Sequence, residues 1–141
     1  GDFGARWSPD GRQVAFVRGG RELRVADASP GGWGRERLVA AARFDRPPLA
    51  DPQDVAWSPD GAWLAFAARA GARAFTNAFV AHADGRDAAT GGRAVSFLPH
   101  AFGGSVAWSA DGRALYLATG QRTEPGQVAR VDLVPRTPRF R

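Results

Sequence analysis

Three short runs along the chain alternate large apolar residues with small or polar ones, and each run begins soon after an Asp-Gly pair. The large apolar residues share one side of each run: Val14 and Phe16, Leu64 and Phe66, and Leu115 and Leu117. A period of two with β-branched and aromatic residues is typical of a half-buried β-strand. The pattern therefore predicts one strand after each Asp-Gly pair.

The three runs belong to a longer repeat. Residues 6–16 read RWSPDGRQVAF, residues 56–66 read AWSPDGAWLAF, and residues 107–117 read AWSADGRALYL. Successive copies are separated by about 50 residues, and a repeat at this period indicates a repeated supersecondary unit. Each copy is interpreted as a strand ending at the tryptophan, a hairpin turn, and a second strand.

The Ser-Pro-Asp-Gly segment has the composition of a tight turn. Proline sets the φ angle of the second turn position, Asp suits the third, and Gly takes the positive φ that follows. We expect a type I turn followed by a left-handed Gly, the usual three-residue hairpin connection with a bulge. The third copy keeps Asp and Gly but has Ala110 in place of proline. The residues to which this structural role is assigned are Trp7, Asp10, Gly11, Trp57, Asp60, Gly61, Trp108, Asp111 and Gly112.

A repeat of about 50 residues is long enough for four antiparallel strands, which is the structure of a β-propeller blade. The sequence therefore predicts an all-β chain, 1–141, that forms one partial β-propeller domain of about three four-stranded antiparallel blades. The predicted blades cover about residues 3–43, 54–98 and 105–134, the last one lacking its fourth strand, with a tail at 135–141. Within them, residues 29–34 are predicted as a loop. The third strands are expected to close at Asp27, at the Asp84-Gly85 turn and at Asp132.

The WSPDG motif with its alternating strand resembles the TolB-type propeller repeat, also called a PD40-like repeat, over about residues 3–134. The same repeat occurs in the propellers of prolyl oligopeptidases, dipeptidyl peptidases and tricorn-like proteases. The resemblance implies a bacterial propeller of six or seven blades that holds a protein or peptide partner at its channel mouth. An alternative is the propeller of a larger peptidase, where it gates access to a separate catalytic domain. A periplasmic or extracytoplasmic location is implied by the resemblance only.

The amino-acid composition and the distribution of charge argue against nucleic acid as a partner and against a membrane span. The net charge is +5 and all 19 basic residues are Arg, while Lys, Ile, Cys and Met are absent. This bias is typical of a GC-rich genome. The arginines are interleaved with Asp and Glu, which favours a solvated surface over a nucleic-acid interface. No apolar run approaches the roughly 20 residues that span a bilayer.

Candidate catalytic, cofactor and metal residues are few, and we expect none of them to act as such. His82 and His100 are the only histidines, and without Cys they do not complete a metal site. Ser105 lacks the closing Gly of a nucleophile elbow. Asp10, Asp60 and Asp111 share one turn position, which explains them without calcium. The segment itself is therefore predicted not to be an enzyme, whatever the activity of its parent chain.

An arc of three blades has two end faces, and propellers close with about 4–8 blades. We expect bare apolar faces at both ends, with Val14 and Phe16 at one end and Leu115, Leu117 and Val131 at the other. The chain opens on Gly and not Met, so we interpret it as a piece of a longer polypeptide. The remaining blades are expected from that parent chain, or from a second copy in a ring of two times three blades.

Overall fold

The computed structural model describes residues 2–44, 55–69, 76–95, 102–121 and 124–133. These residues form eleven β-strands and no helix, which confirms the all-β prediction. The strands are β1 (Asp2–Trp7), β2 (Gln13–Arg18), β3 (Glu22–Ser29), β4 (Gly32–Ala41), β5 (Val55–Trp57), β6 (Trp63–Ala68), β7 (Asn77–His82), β8 (Arg93–Ala94), β9 (Phe102–Trp108), β10 (Ala114–Gln121) and β11 (Glu124–Asp132). The described part of the chain contains no helix of a length and apolarity that would cross a membrane.

The strands form three antiparallel sheets, and neighbours along the chain are neighbours in each sheet. Blade 1 is β1-β2-β3-β4, blade 2 is β5-β6-β7-β8, and blade 3 is β9-β10-β11. This up-and-down order follows from the short hairpin turns, since consecutive strands joined by tight turns pair antiparallel.

The blades stack face to face in chain order. One face of blade 2, with Leu64 and Phe66, packs in a cluster with Val17 and Val25 of blade 1. The other face, with Ala65 and Ala67, packs with Leu115 and Leu117 of blade 3. The first strands of neighbouring blades also lie in contact. The described chain is thus an arc of three β-propeller blades, with an apolar core in each of the two interfaces.

One local prediction was wrong, in blade 1. The segment 29–34 is mostly strand, because β3 runs to Ser29 and β4 begins at Gly32 with Trp33 paired to Ala28. Only a tight turn remains between the two strands. In blade 2 the residue that corresponds to Asp27 and Asp132 is His82, which pairs with Trp63 at the end of β7. Asp84 and Gly85 lie in the turn that follows β7, so the predicted closure of this strand at the Asp84-Gly85 turn is confirmed.

The predicted position of the second end face was also wrong. Leu115 and Leu117 are fully buried against blade 2, and Val131 packs on the same cluster. The outer face of blade 3 carries the opposite set, with Tyr116 paired to Arg130 and Val128 72% exposed. The period-two pattern identified residues that share a side of the strand, but it did not say which neighbour covers that side.

Candidate functional site

The repeated turn is closed by its serine and aspartate side chains. Gly11 N donates to Ser8 O (2.9 Å), and Ser8 N donates to Gln13 O (2.8 Å). Ser8 Oγ donates to Asp10 Oδ1 (2.6 Å) and accepts from Gln13 N (3.0 Å), while Asp10 Oδ1 also accepts from Arg12 N (3.0 Å). The connection between Ser8 and Gln13 therefore has four residues, and the expected three-residue connection is wrong. The extra residue is accommodated by the serine hydroxyl. Ser8 Oγ accepts the hydrogen bond from Gln13 N, because the carbonyl of Ser8 accepts the one from Gly11 N.

The same turn recurs in all three blades with nearly identical geometry. The Ser Oγ to Asp Oδ1 distance is 2.6 Å in each, and the φ angles of Gly11, Gly61 and Gly112 are 72°, 73° and 71°. The positive φ predicted for these glycines is confirmed. In each turn the serine hydroxyl, followed by a backbone N–H, holds the pKa of the Asp below its ordinary value of 3.8.

The serines of the turn were missed as motif residues. Ser58 is buried, and its hydroxyl bonds both Asp60 Oδ1 (2.6 Å) and the backbone N–H of Trp63 (2.9 Å). The signal was present in the sequence, because serine stands at the same position in all three copies. A hydroxyl that closes a turn is easily mistaken for ordinary turn composition.

The motif tryptophans connect consecutive blades. Trp57 Nε1 donates to the carbonyl of Arg6 at 2.9 Å, and Trp108 Nε1 donates to the carbonyl of Ala56 at 3.0 Å. In both cases the acceptor is the residue just before the tryptophan of the preceding blade. Trp7 has no such preceding blade among the described residues, and it is 57% exposed. Trp57 and Trp108 therefore have the same role in the two interfaces, and Trp7 stands at the equivalent position of blade 1.

A second inter-blade connection lies at the outer edge of the first interface. Arg37 Nε on β4 donates to the carbonyl of Ala83 at 2.9 Å, and Arg37 Nη1 pairs with Asp27 at 3.1 Å. Gly85 approaches the same strand so closely that a Cβ there would lie 2.8 Å from Leu38 O. Blades 1 and 2 are thus fixed at both edges of their interface.

The outer face of blade 1 is open. Trp7, Val14, Ala26 and Glu36 form one row across its four strands. Trp7 and Trp33 contact each other with ring centroids 5.6 Å apart, and Trp33 is 62% exposed. Val14 and Ala26 beneath them are buried. We name this outer surface of blade 1 the open face. It contains a groove of about 310 Å³, which is lined by Asp2, Phe3, Gly4, Ala5, Val14, Phe16, Arg18, Ala26, Trp33 and Glu36.

Charged side chains cover the rest of the open face. Arg18 pairs with Asp2 (3.1 Å) and with Glu36, and its guanidinium lies 5.3 Å from the centroid of the Phe16 ring. Glu36 also pairs with Arg24 (2.6 Å). The hydrogen bonds that Arg18 donates to Asp2 and Glu36 raise the pKa of Arg18, and the one that it donates to Glu36 lowers the pKa of Glu36. The expected bare apolar face is therefore a mixed one, with exposed tryptophans at one end and an ion-pair network at the other.

The residues considered for catalysis or metal binding are held in separate places. His82 Nδ1 lies 2.8 Å from Asp87 Oδ2, and its ring contacts Trp63 with centroids 3.7 Å apart and ring planes tilted by 32°. Ser105 lies on β9, and His100 lies outside the described residues. Within the described ranges, no group of three or more His, Cys, Asp and Glu side chains is arranged to hold a metal ion.

Comparison with known proteins gives a likeness at the level of the fold. No protein-family profile matches the chain, and no curated protein is significantly similar to it. The chain is similar to a protein from Agrobacterium tumefaciens described as TolB, at 19% identity and a TM-score of 0.42, covering 94% of this chain and 58% of that one. It is also similar to TolB from Acinetobacter baumannii, at 16% identity and a TM-score of 0.44, covering 94% and 41%. The chain thus spans about four to six tenths of these structures, and the propeller assignment rests on the three sheets and their contacts.

Proposed function

We propose that this chain is a non-catalytic β-propeller module that binds a protein or peptide partner. The observation that carries the proposal is the open face, where Trp7 and Trp33 are 57% and 62% exposed beside a groove lined by both apolar and charged side chains. Exposed tryptophans are enriched at protein–protein interfaces and often dominate their binding energy. The equivalent face of blade 2 is buried by a neighbouring sheet.

The contacts of the repeated motif residues support a structural and binding role for this chain. In each copy the Ser, Asp and Gly close a turn, and two of the three motif tryptophans bond the preceding blade. These side chains are engaged in the fold, and His82 is held between Asp87 and Trp63. The absence of catalytic activity in the segment is part of the proposal.

Further blades belong to the proposed functional unit. Trp7 has the donor that Trp57 and Trp108 use, and the carbonyl of Ala107 stands in the place of the Arg6 and Ala56 acceptors, just before its motif tryptophan. We propose that the parent chain supplies these blades, giving six or seven around a channel. A second copy that forms a ring of two times three blades is the other source. A periplasmic or extracytoplasmic location is proposed on the resemblance of the repeat alone.

The second candidate function is the gating propeller of a larger serine peptidase or tricorn-like protease. It is favoured by the occurrence of the WSPDG repeat in such enzymes, and it gives this segment no catalytic residue either. The sequence of the full-length open reading frame separates the two functions. A hydrolase domain with Ser, His and Asp would establish the second, and its absence would favour the first.

Light scattering on the purified 141-residue chain tests the binding role of the open face. We expect a mass above that of the 15.0 kDa monomer at high concentration. Replacing both Trp7 and Trp33 with Ser should restore the monomer. A stable wild-type monomer that unfolds cooperatively at high concentration would contradict the proposal. Peptidase or esterase turnover that disappears in Ser105→Ala would contradict its non-catalytic part.

A further inference from the structure

A groove lies between the repeated turns of blades 2 and 3. It has a volume of about 390 Å³ and is lined by Ser58, Pro59, Asp60, Trp63, Ala110, Asp111 and Gly112. The repeat departs from its own pattern at three positions in or beside this groove. Ala62 stands where the other turns have Arg, Trp63 stands where they have Gln and Ala, and Ala110 stands where they have Pro. Departures from a repeat at one place indicate a role that the repeat itself does not need.

The first departure leaves Asp60 without the cation that accompanies its counterparts. The serine hydroxyl is the main cause of the lowered pKa of Asp10 and of Asp111, and the charge of Arg12 in the first case, and of Arg113 and Arg130 in the second, contributes less. The pKa of Asp60 is also lowered, but by the Ser58 hydroxyl and the backbone N–H of Ala62, with no described Arg among the causes. Asp60 is therefore an ionised carboxylate at neutral pH, and its Oδ1 accepts the hydrogen bonds from the Ser58 hydroxyl and from Ala62 N.

The second departure puts a fixed aromatic ring beside this carboxylate. Trp63 lines the groove and is partly exposed. Its ring lies against His82 with centroids 3.7 Å apart and ring planes tilted by 32°, and the imidazole is in turn held by Asp87 at 2.8 Å. The tryptophan is thus oriented before any ligand arrives, which reduces the entropic cost of binding.

A carboxylate beside a partly exposed tryptophan ring is suited to a planar cation. A guanidinium group forms strong hydrogen bonds to a carboxylate, and it stacks on aromatic rings while its charge is attracted by the ring face. The third departure favours entry of such a group, because Ala110 lacks the ring that Pro9 and Pro59 carry at the same position of their turns.

We propose that the groove binds the guanidinium group of an arginine residue in a peptide or protein partner, with Asp60 as the anion and Trp63 as the stacking surface. This inference rests on the proposed binding function and gives it a ligand class. It concerns a different surface from the open face of blade 1, so the light-scattering test can fail while this proposal holds, and the reverse.

The test is a ¹⁵N NMR titration of the whole chain with the peptide acetyl-Gly-Arg-Gly-amide. We expect saturable shifts of the Trp63 indole N–H and of the backbone N–H groups of residues 60–63. The peptide with citrulline in place of Arg has nearly the same shape without the charge, and it should bind about tenfold more weakly or not at all.

Two variants make the test specific. Ala62→Arg gives the turn the cation found in the other two copies, at an exposed position that makes no described packing contact, and it should weaken binding by about tenfold or more. Asp60→Asn should do the same, whereas Asp10→Asn in the first turn should leave the affinity unchanged. No saturable shift with the arginine peptide, equal binding of the citrulline peptide, or unchanged affinity in Ala62→Arg would overturn the proposal.

Discussion

Trp57 donates its indole N–H to the carbonyl of Arg6 across the interface between blades 1 and 2, at 2.9 Å. The same bond recurs from Trp108 to Ala56 at 3.0 Å, so one rule describes both interfaces. The tryptophans of blades 2 and 3 thus bond the main chain of the preceding blade. Because the acceptor is a backbone carbonyl, the bond requires a sheet in the right position but no particular side chain on the partner.

Replacing Trp57 with Phe should destabilise the chain by about 1 kcal/mol or more, because a half-buried carbonyl loses its donor and the interface loses packing. Trp7→Phe is the matched control, since the indole of Trp7 is mostly exposed and bonds no preceding described blade. Its effect should lie within about 0.5 kcal/mol. Urea unfolding of the two variants measures both effects, and equal losses would contradict the assigned role of Trp57.

Replacing Gly61 with Val should cost about 1–2 kcal/mol or more, because φ is 73° there and a β-branched residue is strained in that region. Gly31→Val serves as the control, since Gly31 has no positive φ and open space around its Cα. Thermal or urea unfolding compares them. A Gly61→Val variant as stable as the control would show that the turn tolerates another backbone conformation.

Much of the fold could be predicted from the sequence because its signals are local. The Asp-Gly pairs and the alternating runs specified the turns, the hairpins and the repeat. The sequence did not reveal that Leu115 faces blade 2, because a period of two says which residues share a side and not what covers it. The loop predicted at residues 29–34 was also wrong. Pro and Gly there form only the tight turn between β3 and β4, and Trp33 already belongs to β4.

The candidate sites depended on tertiary pairing that composition does not show. The sequence predicted an apolar end face with Val14 and Phe16, but it did not show that Arg18, Arg24 and Glu36 form an ion-pair network on the same face. The pair of Trp63 and His82 depends on the register of β6 and β7. What the sequence did offer, and what was overlooked, is the serine that stands before each Pro-Asp-Gly or Ala-Asp-Gly segment.

Replacing Gly85 with Ala should destabilise the chain by about 2 kcal/mol or more, because a Cβ would lie 2.8 Å from Leu38 O across the first interface and φ is 87°. Gly19→Ala separates the two causes. Its φ is also positive, at 63°, but nothing lies within 4 Å of its added Cβ. Gly19→Ala should therefore show only the backbone strain, and a loss as large as that of Gly85→Ala would mean that the interface can move apart.

The pKa of Asp60 is lowered in the folded chain, first by the Ser58 hydroxyl and then by the backbone N–H of Ala62. A lowered folded-state pKa stabilises the fold above the unfolded-state pKa, and the contribution is lost as the pH falls through the folded-state value. Asp60→Asn should therefore be less stable than wild type at pH 6, and the difference should shrink as the pH falls below the ordinary value of 3.8. Urea midpoints at pH 6 and at low pH measure this. A difference that stays constant or grows on acidification would contradict the assignment.

The central claim is that Trp57 and Trp108 each connect their blade to the preceding one, whereas the indole of Trp7 has no preceding blade among the described residues. Hydrogen exchange of the indole N–H groups in the dilute chain tests it directly, with signals assigned from single Trp→Phe variants. Trp57 and Trp108 should exchange about tenfold or more slowly than Trp7, since an N–H bonded across an interface exchanges only when the interface opens. Equal exchange of all three indoles, whether fast or slow, would contradict the account.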